Sequence, residues 1–172
     1  DKAIWRKWAK RDRTEAENWA AIPKPPKITV VVPAADKQSA QWRYTTTRPR
    51  EGWMKEDFDA TAWREGWGGF GADGTPGAVI GTVWDSREIW LRREVELPAD
   101  QLKQVELWLH HDENAEIYIN GVLATRTSGY VTGYDLVPLT TEGRAALKPG
   151  KNLVAVHCRQ TTGGQYVDLG FV

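Results

Sequence analysis

The sequence contains a single cysteine, Cys158, and carries no net charge, because 23 basic residues balance 23 acidic ones. One cysteine cannot form an intrachain disulfide. A net charge of zero argues against binding to nucleic acid or to an anionic membrane surface, since both require clustered positive charge. No apolar run approaches the roughly 20 residues that cross a bilayer. The sequence therefore predicts a globular domain that binds neither nucleic acid nor membrane.

Motifs of common catalytic sites are also missing. The sequence has no Gly-x-Ser-x-Gly elbow, no phosphate-binding loop and no zinc-protease motif. A glycosidase needs two carboxylates across a cleft. Nothing in the sequence pairs any two of the available acidic residues, which are Asp112, Glu113, Asp135 and Asp168. We therefore expect no catalysis by this chain alone.

Tryptophan, by contrast, is abundant, with ten among 172 residues. Six of them lie within one third of the chain: Trp42, Trp53, Trp63, Trp67, Trp84 and Trp90. Each brings a large flat apolar face and one N–H that needs a partner. Such a chain either has an aromatic-rich core or presents ring faces to flat ligands. Without a nucleic-acid charge signature, the flat ligand to expect is a sugar ring.

The first 35 residues predict an N-terminal helix and a linker. Over the first twenty residues, Trp5, Trp8 and Trp19 fall near one face of a helix. Three prolines at positions 23, 25 and 26 then end it. The tryptophan stripe packs either on the following domain or on a preceding domain. Because the chain starts at Asp1, we interpret it as a piece of a longer protein.

Residues 36–172 predict an all-β domain. Apolar residues alternate, or run continuously, in short segments separated by Gly, Pro and Asn: 89–97, 105–110, 116–119, 153–158 and 165–171. Asn120-Gly121 is a strong signal for a type I′ hairpin turn. The run at 153–158 is apolar on both faces, as a central strand requires. Together these patterns indicate a β-sandwich or jelly roll.

Two short helices are expected within the β domain. In residues 58–63, Asp59 is a good N-cap, and Phe58 and Trp63 have the spacing of a hydrophobic staple. A second helical turn is expected at 141–147. Trp63 therefore has a structural role in this interpretation.

Several segments in order resemble a known group of domains. They are Trp42-Arg43-Tyr44, Asp57-Phe58-Asp59, Gly69-Phe70-Gly71, Trp90-Leu91-Arg92-Arg93, Tyr118-Ile119-Asn120-Gly121, Gly150-Lys151-Asn152 and Tyr166-Val167-Asp168-Leu169-Gly170. This order is similar to the galactose-binding-like jelly-roll modules of bacterial polysaccharide-degrading enzymes. It also resembles the sugar-binding domain of β-galactosidase and β-glucuronidase type glycoside hydrolases. The resemblance covers residues 41–172.

The resemblance implies a jelly-roll β-sandwich that is a non-catalytic accessory module of a larger, secreted or periplasmic glycoside hydrolase. Its expected partners are carbohydrate and the catalytic domain of the same polypeptide. In many such enzymes this module only supports the catalytic domain. In that alternative the chain is purely structural and docks through Trp90, Trp108 and the N-terminal tryptophan stripe.

Binding groups in this fold are expected on loops at one end of the sandwich, here 65–82, 128–135 and 160–165. Sugar binding needs an aromatic face together with polar side chains that pair with hydroxyls. The candidate ligand-binding residues are Trp67, Trp84, Tyr130, Tyr134 and Gln165. For Trp67, anchoring its glycine-rich loop is the alternative role.

No cofactor is expected, although calcium is possible. Asp112 and Asn114 lie in an oxygen-rich segment that could contribute calcium ligands, but the segment lacks the regular spacing of a calcium loop. A solvated turn is the alternative. Adjacent residues on a strand point to opposite faces, so His157 and Cys158 cannot bind one zinc ion together.

Overall fold

The computed structural model describes Ala3, Ile4, Arg6 and residues 28–172. The helix predicted for the first twenty residues falls outside the described residues, apart from those three positions. In the described part the elements follow in the order β1 (Gln41–Thr45), β2 (Arg64–Trp67), β3 (Phe70–Gly71), β4 (Thr82–Val83), β5 (Glu88–Leu97), β6 (Leu107–Asp112), β7 (Asn114–Ile119), β8 (Val122–Thr127), β9 (Asp135–Val137), α1 (Thr141–Ala145), β10 (Gly150–Arg159) and β11 (Tyr166–Phe171). None of the helices described is long and apolar enough to cross a membrane.

The strands form two sheets. The six-stranded sheet has the order β2-β1-β5-β10-β7-β8, and all its neighbours are antiparallel. The five-stranded sheet has the order β4-β3-β11-β6-β9, in which β3 and β4 are parallel. The predicted all-β sandwich is therefore confirmed.

The core lies between the two sheets and follows the alternation of the sequence. Ile89, Leu91 and Val95 of β5 are buried on its inner face. The strand predicted to be central is confirmed, because β10 pairs with both β5 and β7. On this strand Cys158 belongs to the core, whereas His157 stacks on Trp90 on the outer face at 4.7 Å. Their predicted opposite orientation is thus confirmed.

The predicted hairpin joins β7 to β8. Asn120 and Gly121 have φ values of 50° and 88°, the left-handed region that a type I′ turn requires at both positions. The Asn120 amide also bonds the carboxamide of Asn152 and the carbonyl of Ala146. The turn is therefore tied to the start of β10 as well as to its own strands.

Residues 58–63 form turns, so the predicted helix there is wrong. The Asp59 carboxylate accepts hydrogen bonds from the N–H and the hydroxyl of Thr61, which closes a local turn instead of capping a helix. Arg64 then starts β2 opposite Tyr44, so no second helical turn can follow. The aromatic contact between Phe58 and Trp63 is nevertheless present, with ring centroids 5.8 Å apart. The other predicted helix is confirmed at Thr141–Ala145, capped by Thr140.

The segment between β1 and β2 covers the outer face of the six-stranded sheet. Trp53 packs there with Trp90 and Ala155 in a second apolar cluster. Beneath the segment, the buried Arg92 guanidinium donates to the carbonyls of Trp53, Lys55 and Phe58. Trp90 is only 4% exposed. It cannot be the docking surface that the sequence suggested, because this segment already covers it.

Candidate functional site

Parts of the three predicted loops meet at one end of the sandwich, together with the end of β6. The Ala72 N–H and the Thr75 hydroxyl bond the carbonyl of Gln165. On the other side, the Val131 N–H donates to the carbonyl of His111. The predicted loop 65–82 is partly wrong, because it contains most of β2 and all of β3. Its remaining part, 72–81, is what reaches this loop end.

At the loop end an exposed aromatic ring lies opposite a buried carboxylate. Tyr130 and Asp112 form an antiparallel β-bridge, and residues directly opposite in such a pair point to the same face. Tyr130 is 67% exposed, whereas Asp112 is 5% exposed. Within the described part of the chain, no protein donor bonds either carboxyl oxygen of Asp112, and these oxygens are not among the fully enclosed polar atoms that lack a partner. The pair therefore combines a free ring face with an acceptor that has no protein donor and keeps contact with solvent.

The environment of Asp112 disfavours its charge. Burial, followed by repulsion from the neighbouring Glu113, raises the pKa of the Asp112 carboxyl above its ordinary value. Gly164 packs directly against the same carboxylate, and a Cβ at this glycine would collide with Oδ2. A donor from a ligand would relieve this desolvation by bonding the carboxylate.

Two neighbouring side chains are already used within the protein. The Thr161 hydroxyl bonds the Glu113 carboxylate. The Gln160 amide donates to the carbonyls of Gly163 and Gly164, while its buried Oε1 has no partner among the described residues. Chemically, this end of the sandwich can receive a ligand that supplies hydrogen-bond donors and a flat apolar face.

Trp67 and Trp84 lie away from this constellation. Trp67 is 51% exposed on the edge strand β2, where its carbonyl accepts the Thr82 hydroxyl. Trp84 was a candidate platform, but this expectation is wrong, because the residue is only 1% exposed and belongs to the main core. Its indole N–H donates to the Ser86 hydroxyl at 2.9 Å, so both its face and its donor are used internally.

Tyr134 and Gln165 both make contacts within the protein. The Tyr134 hydroxyl donates to Asp168 at 2.8 Å, and its ring stacks on Trp108 at 6.0 Å. Gln165 is 7% exposed and its side-chain amide donates to the carbonyl of Ser86. The expectation for Gln165 is therefore wrong, because its side chain is buried and bonded, whereas a ligand contact by the partly exposed Tyr134 stays a prediction. Of the five candidates, Tyr130 alone combines an exposed ring with a position at the loop end.

Asp168 organises a buried polar network that sequence reasoning missed. Its carboxylate accepts the N–H groups of Ala35 and Gly69 at 2.7 and 3.0 Å, besides the Tyr134 hydroxyl. Burial raises the pKa of Asp168 to about 6. The three donors come from positions distant in sequence, so nothing adjacent to Asp168 could have indicated the network.

The calcium candidates do not converge on one ion. The Asn114 side-chain oxygen accepts the N–H of Gly129 at 3.0 Å, which makes it part of a local turn. Over residues 28–172, no group of three or more His, Cys, Asp or Glu side chains is arranged to hold a metal ion. Asp112 therefore has only Glu113 as an acidic neighbour in the sequence and does not share a calcium site with Asn114.

Comparison with solved structures identifies enzymes that contain a domain of similar fold. One is a glycosyl hydrolase family 2 member from Bacteroides cellulosilyticus, with 18% identity and a TM-score of 0.52 over 77% of this chain and 20% of that chain. Another is a β-glucuronidase from glycoside hydrolase family 2, with 15% identity and a TM-score of 0.52 over 86% and 18% of the two chains. A β-glucuronidase from Bifidobacterium dentium matches at 15% identity, with a TM-score of 0.50 over 83% and 22%.

These similarities show the fold, in agreement with the resemblance read from the sequence. The chain spans about a fifth of the length of the solved structures that it matches. In size and fold it therefore corresponds to one domain of those structures. Comparison with protein-family models gives no match, and comparison with curated proteins gives none either.

Proposed function

We propose that this chain is a non-catalytic module of a larger, secreted or periplasmic glycoside hydrolase and that it binds carbohydrate at the loop end. The fold similarity supports the enzyme context. The observation that carries the binding proposal is the exposed Tyr130 ring directly opposite the partnerless Asp112 carboxylate. An aromatic face with an adjacent acceptor is the combination that a sugar ring requires.

In the proposed complex, Tyr130 stacks on the apolar face of one sugar ring and Asp112 accepts a hydrogen bond from a hydroxyl. The sandwich holds both residues in place, because each lies on or beside the paired strands β6 and β11. A sugar has few apolar atoms and its hydroxyls must give up water. We therefore expect binding of about 4–8 kcal/mol, in the millimolar to micromolar range.

The test is calorimetry of the intact chain against plant and algal polysaccharides, followed by substitution. Tyr130→Ala and Asp112→Asn should each weaken binding at least tenfold, while Tyr130→Phe should retain most of it because the ring face remains. Trp67→Ala is the matched control, since it also removes an exposed aromatic ring but lies away from the loop end. Binding that survives Tyr130→Ala unchanged would place the sugar site elsewhere.

A structural docking role is the second candidate, and one surface supports it. Trp67, Val79 and Val83 are 51%, 46% and 66% exposed. Trp67 and Val83 both adjoin Thr82, at the edge where β2 and β4 end their sheets. In a longer polypeptide with its catalytic domain, Trp67→Asp should lower the melting temperature of that domain if this edge docks on it. An unchanged melting temperature would refute docking at this edge.

A further inference from the structure

We infer that the loop-end site selects uncharged sugar chains and discriminates against chains that carry carboxylate or sulfate groups. The inference rests on the proposed function and names its ligand class. It follows from three features of the loop end: its charge, the way its donors are used, and the partnerless carboxylate at its centre.

The segments that meet at the loop end are acidic. Residues 72–81, 111–114, 128–135 and 160–165 contain four carboxylates and neither lysine nor arginine; the carboxylates are Asp73, Asp112, Glu113 and Asp135. Two arginines adjoin these segments. Arg87 accepts the N–H of Gln160 through its carbonyl, and Arg159, which precedes Gln160, pairs with Asn114 and lies 3.9 Å from the Glu88 carboxylate. A negative group on a ligand would therefore meet four carboxylates against two arginines, one of which already faces a carboxylate.

Several side-chain donors at the loop end are already engaged within the protein. The Thr161 hydroxyl is bonded to Glu113, and the Thr75 hydroxyl to the carbonyls of Ala72 and Gln165. His111 faces two carbonyl oxygens through Nδ1, those of Glu113 and Gly129, so that nitrogen carries the proton and donates within the protein. These three groups are therefore not available to a ligand carboxylate.

Asp112 favours uncharged ligands over ligands that carry a carboxylate. It is 5% exposed, and no donor among the described residues bonds its carboxylate. A sugar hydroxyl or amine can supply that donor, whereas an ionised uronate adds a second carboxylate beside it. A ligand should therefore bind more tightly when its charge is removed and its sugar ring and linkage are unchanged.

The experiment uses pairs of oligosaccharides that differ only in this charge. Hexamers of galacturonate, mannuronate and glucuronoxylan are each compared with the same hexamer after chemical reduction of its carboxyl groups, by calorimetry at pH 7 and low salt. We expect at least one reduced hexamer to bind and its acidic parent to bind at least tenfold more weakly. The difference should shrink severalfold in 0.5 M NaCl, because salt screens charge repulsion.

Glu113→Gln tests the origin of the preference without removing the proposed contact residue. This variant should narrow the difference in affinity between acidic and reduced hexamers at least threefold. Glu96→Gln, which changes an exposed acidic residue at the opposite end of β5, should leave that difference unchanged. Equal affinity for both members of a pair, or tighter binding of the acidic one, overturns the inference but leaves carbohydrate binding intact. No binding of any hexamer, acidic or reduced, overturns the proposed function and the inference together.

Discussion

Arg92 fastens the segment between β1 and β2 to the sheet, and its loss should be costly. The guanidinium donates to the carbonyls of Trp53, Lys55 and Phe58 and lies 5.4 Å from the centroid of the Phe58 ring. It is 7% exposed. Arg92→Met keeps the apolar stem but removes all three donors, which leaves three carbonyls without their partner.

The magnitude follows from the contacts. A hydrogen bond from a charged donor is worth about 1.5–3 kcal/mol. The bond to Phe58 is long, at 3.4 Å, so we count two full bonds and one weak one. Relief from burying a charge offsets part of this sum. We therefore expect the free energy of unfolding to fall by about 3–4 kcal/mol in Arg92→Met.

Urea denaturation measures the change, and limited proteolysis shows whether residues 46–63 open before the rest. Arg43→Met is the matched control, because Arg43 bonds the Thr61 carbonyl of the same segment but its side chain is 41% exposed. It should cost less than about 1 kcal/mol. If Arg92→Met unfolds within 1 kcal/mol of the wild type and the segment resists protease, Arg92 does not hold the segment in place.

Three further predictions test other parts of the fold. Gly121→Val should lower the melting temperature, because valine is strained at a φ of 88°. Gly121→Asn should lower it less. If the two variants melt at the same temperature, the type I′ turn is not what limits the residue at this position. Phe58→Ala and Trp63→Ala should each lower the free energy of unfolding in denaturant by about 2–3 kcal/mol. This is less than for a fully buried aromatic residue, because both side chains are only partly buried. A loss below about 0.5 kcal/mol would show that their contact does not stabilise the fold. Asp168 holds its proton more tightly when folded, at a pKa of about 6 against 3.8, so its contribution to stability should grow as pH falls from 7 to 5 by about 1 kcal/mol. That pH-dependent increment should disappear in Asp168→Asn, and an identical pH profile in both proteins would contradict the assignment.

The sequence predicted most of the sandwich because the decisive signals are local. Alternation placed the inner face of β5, and Asn120-Gly121 placed the β7–β8 turn, since both depend on neighbouring residues. The helix at 58–63 failed for the opposite reason. Asp59 is an equally good turn former, and the choice was made by the pairing of Arg64 with Tyr44, which lies twenty residues away in sequence.

The candidate site was predicted only in part. The sequence indicated which loops would gather and that Tyr130 was a possible platform. It could not distinguish Tyr130 from Trp84 or Tyr134, because the exposure of an aromatic ring depends on contacts with residues that are distant in sequence. The sequence indicated Asp112 only as a calcium candidate and as one of four acidic residues that no pattern pairs for catalysis. Its proposed role arises from Tyr130 and Gly164, which lie 18 and 52 positions further along the chain.

On the outer face of each sheet, some of the large polar and aromatic side chains are covered by, or bonded to, other parts of the protein. The six-stranded sheet is covered by the segment that Arg92 holds, with Trp90 beneath it. On the five-stranded sheet, Asp168 and Tyr134 bond each other and the chain around Ala35. These aromatic and charged residues therefore stabilise the fold. At the loop end, by contrast, no protein donor bonds the Asp112 carboxylate, and burial raises its pKa. A ligand that donates a hydrogen bond there would offset part of the cost of burying this carboxylate, and we therefore propose the binding site at the loop end.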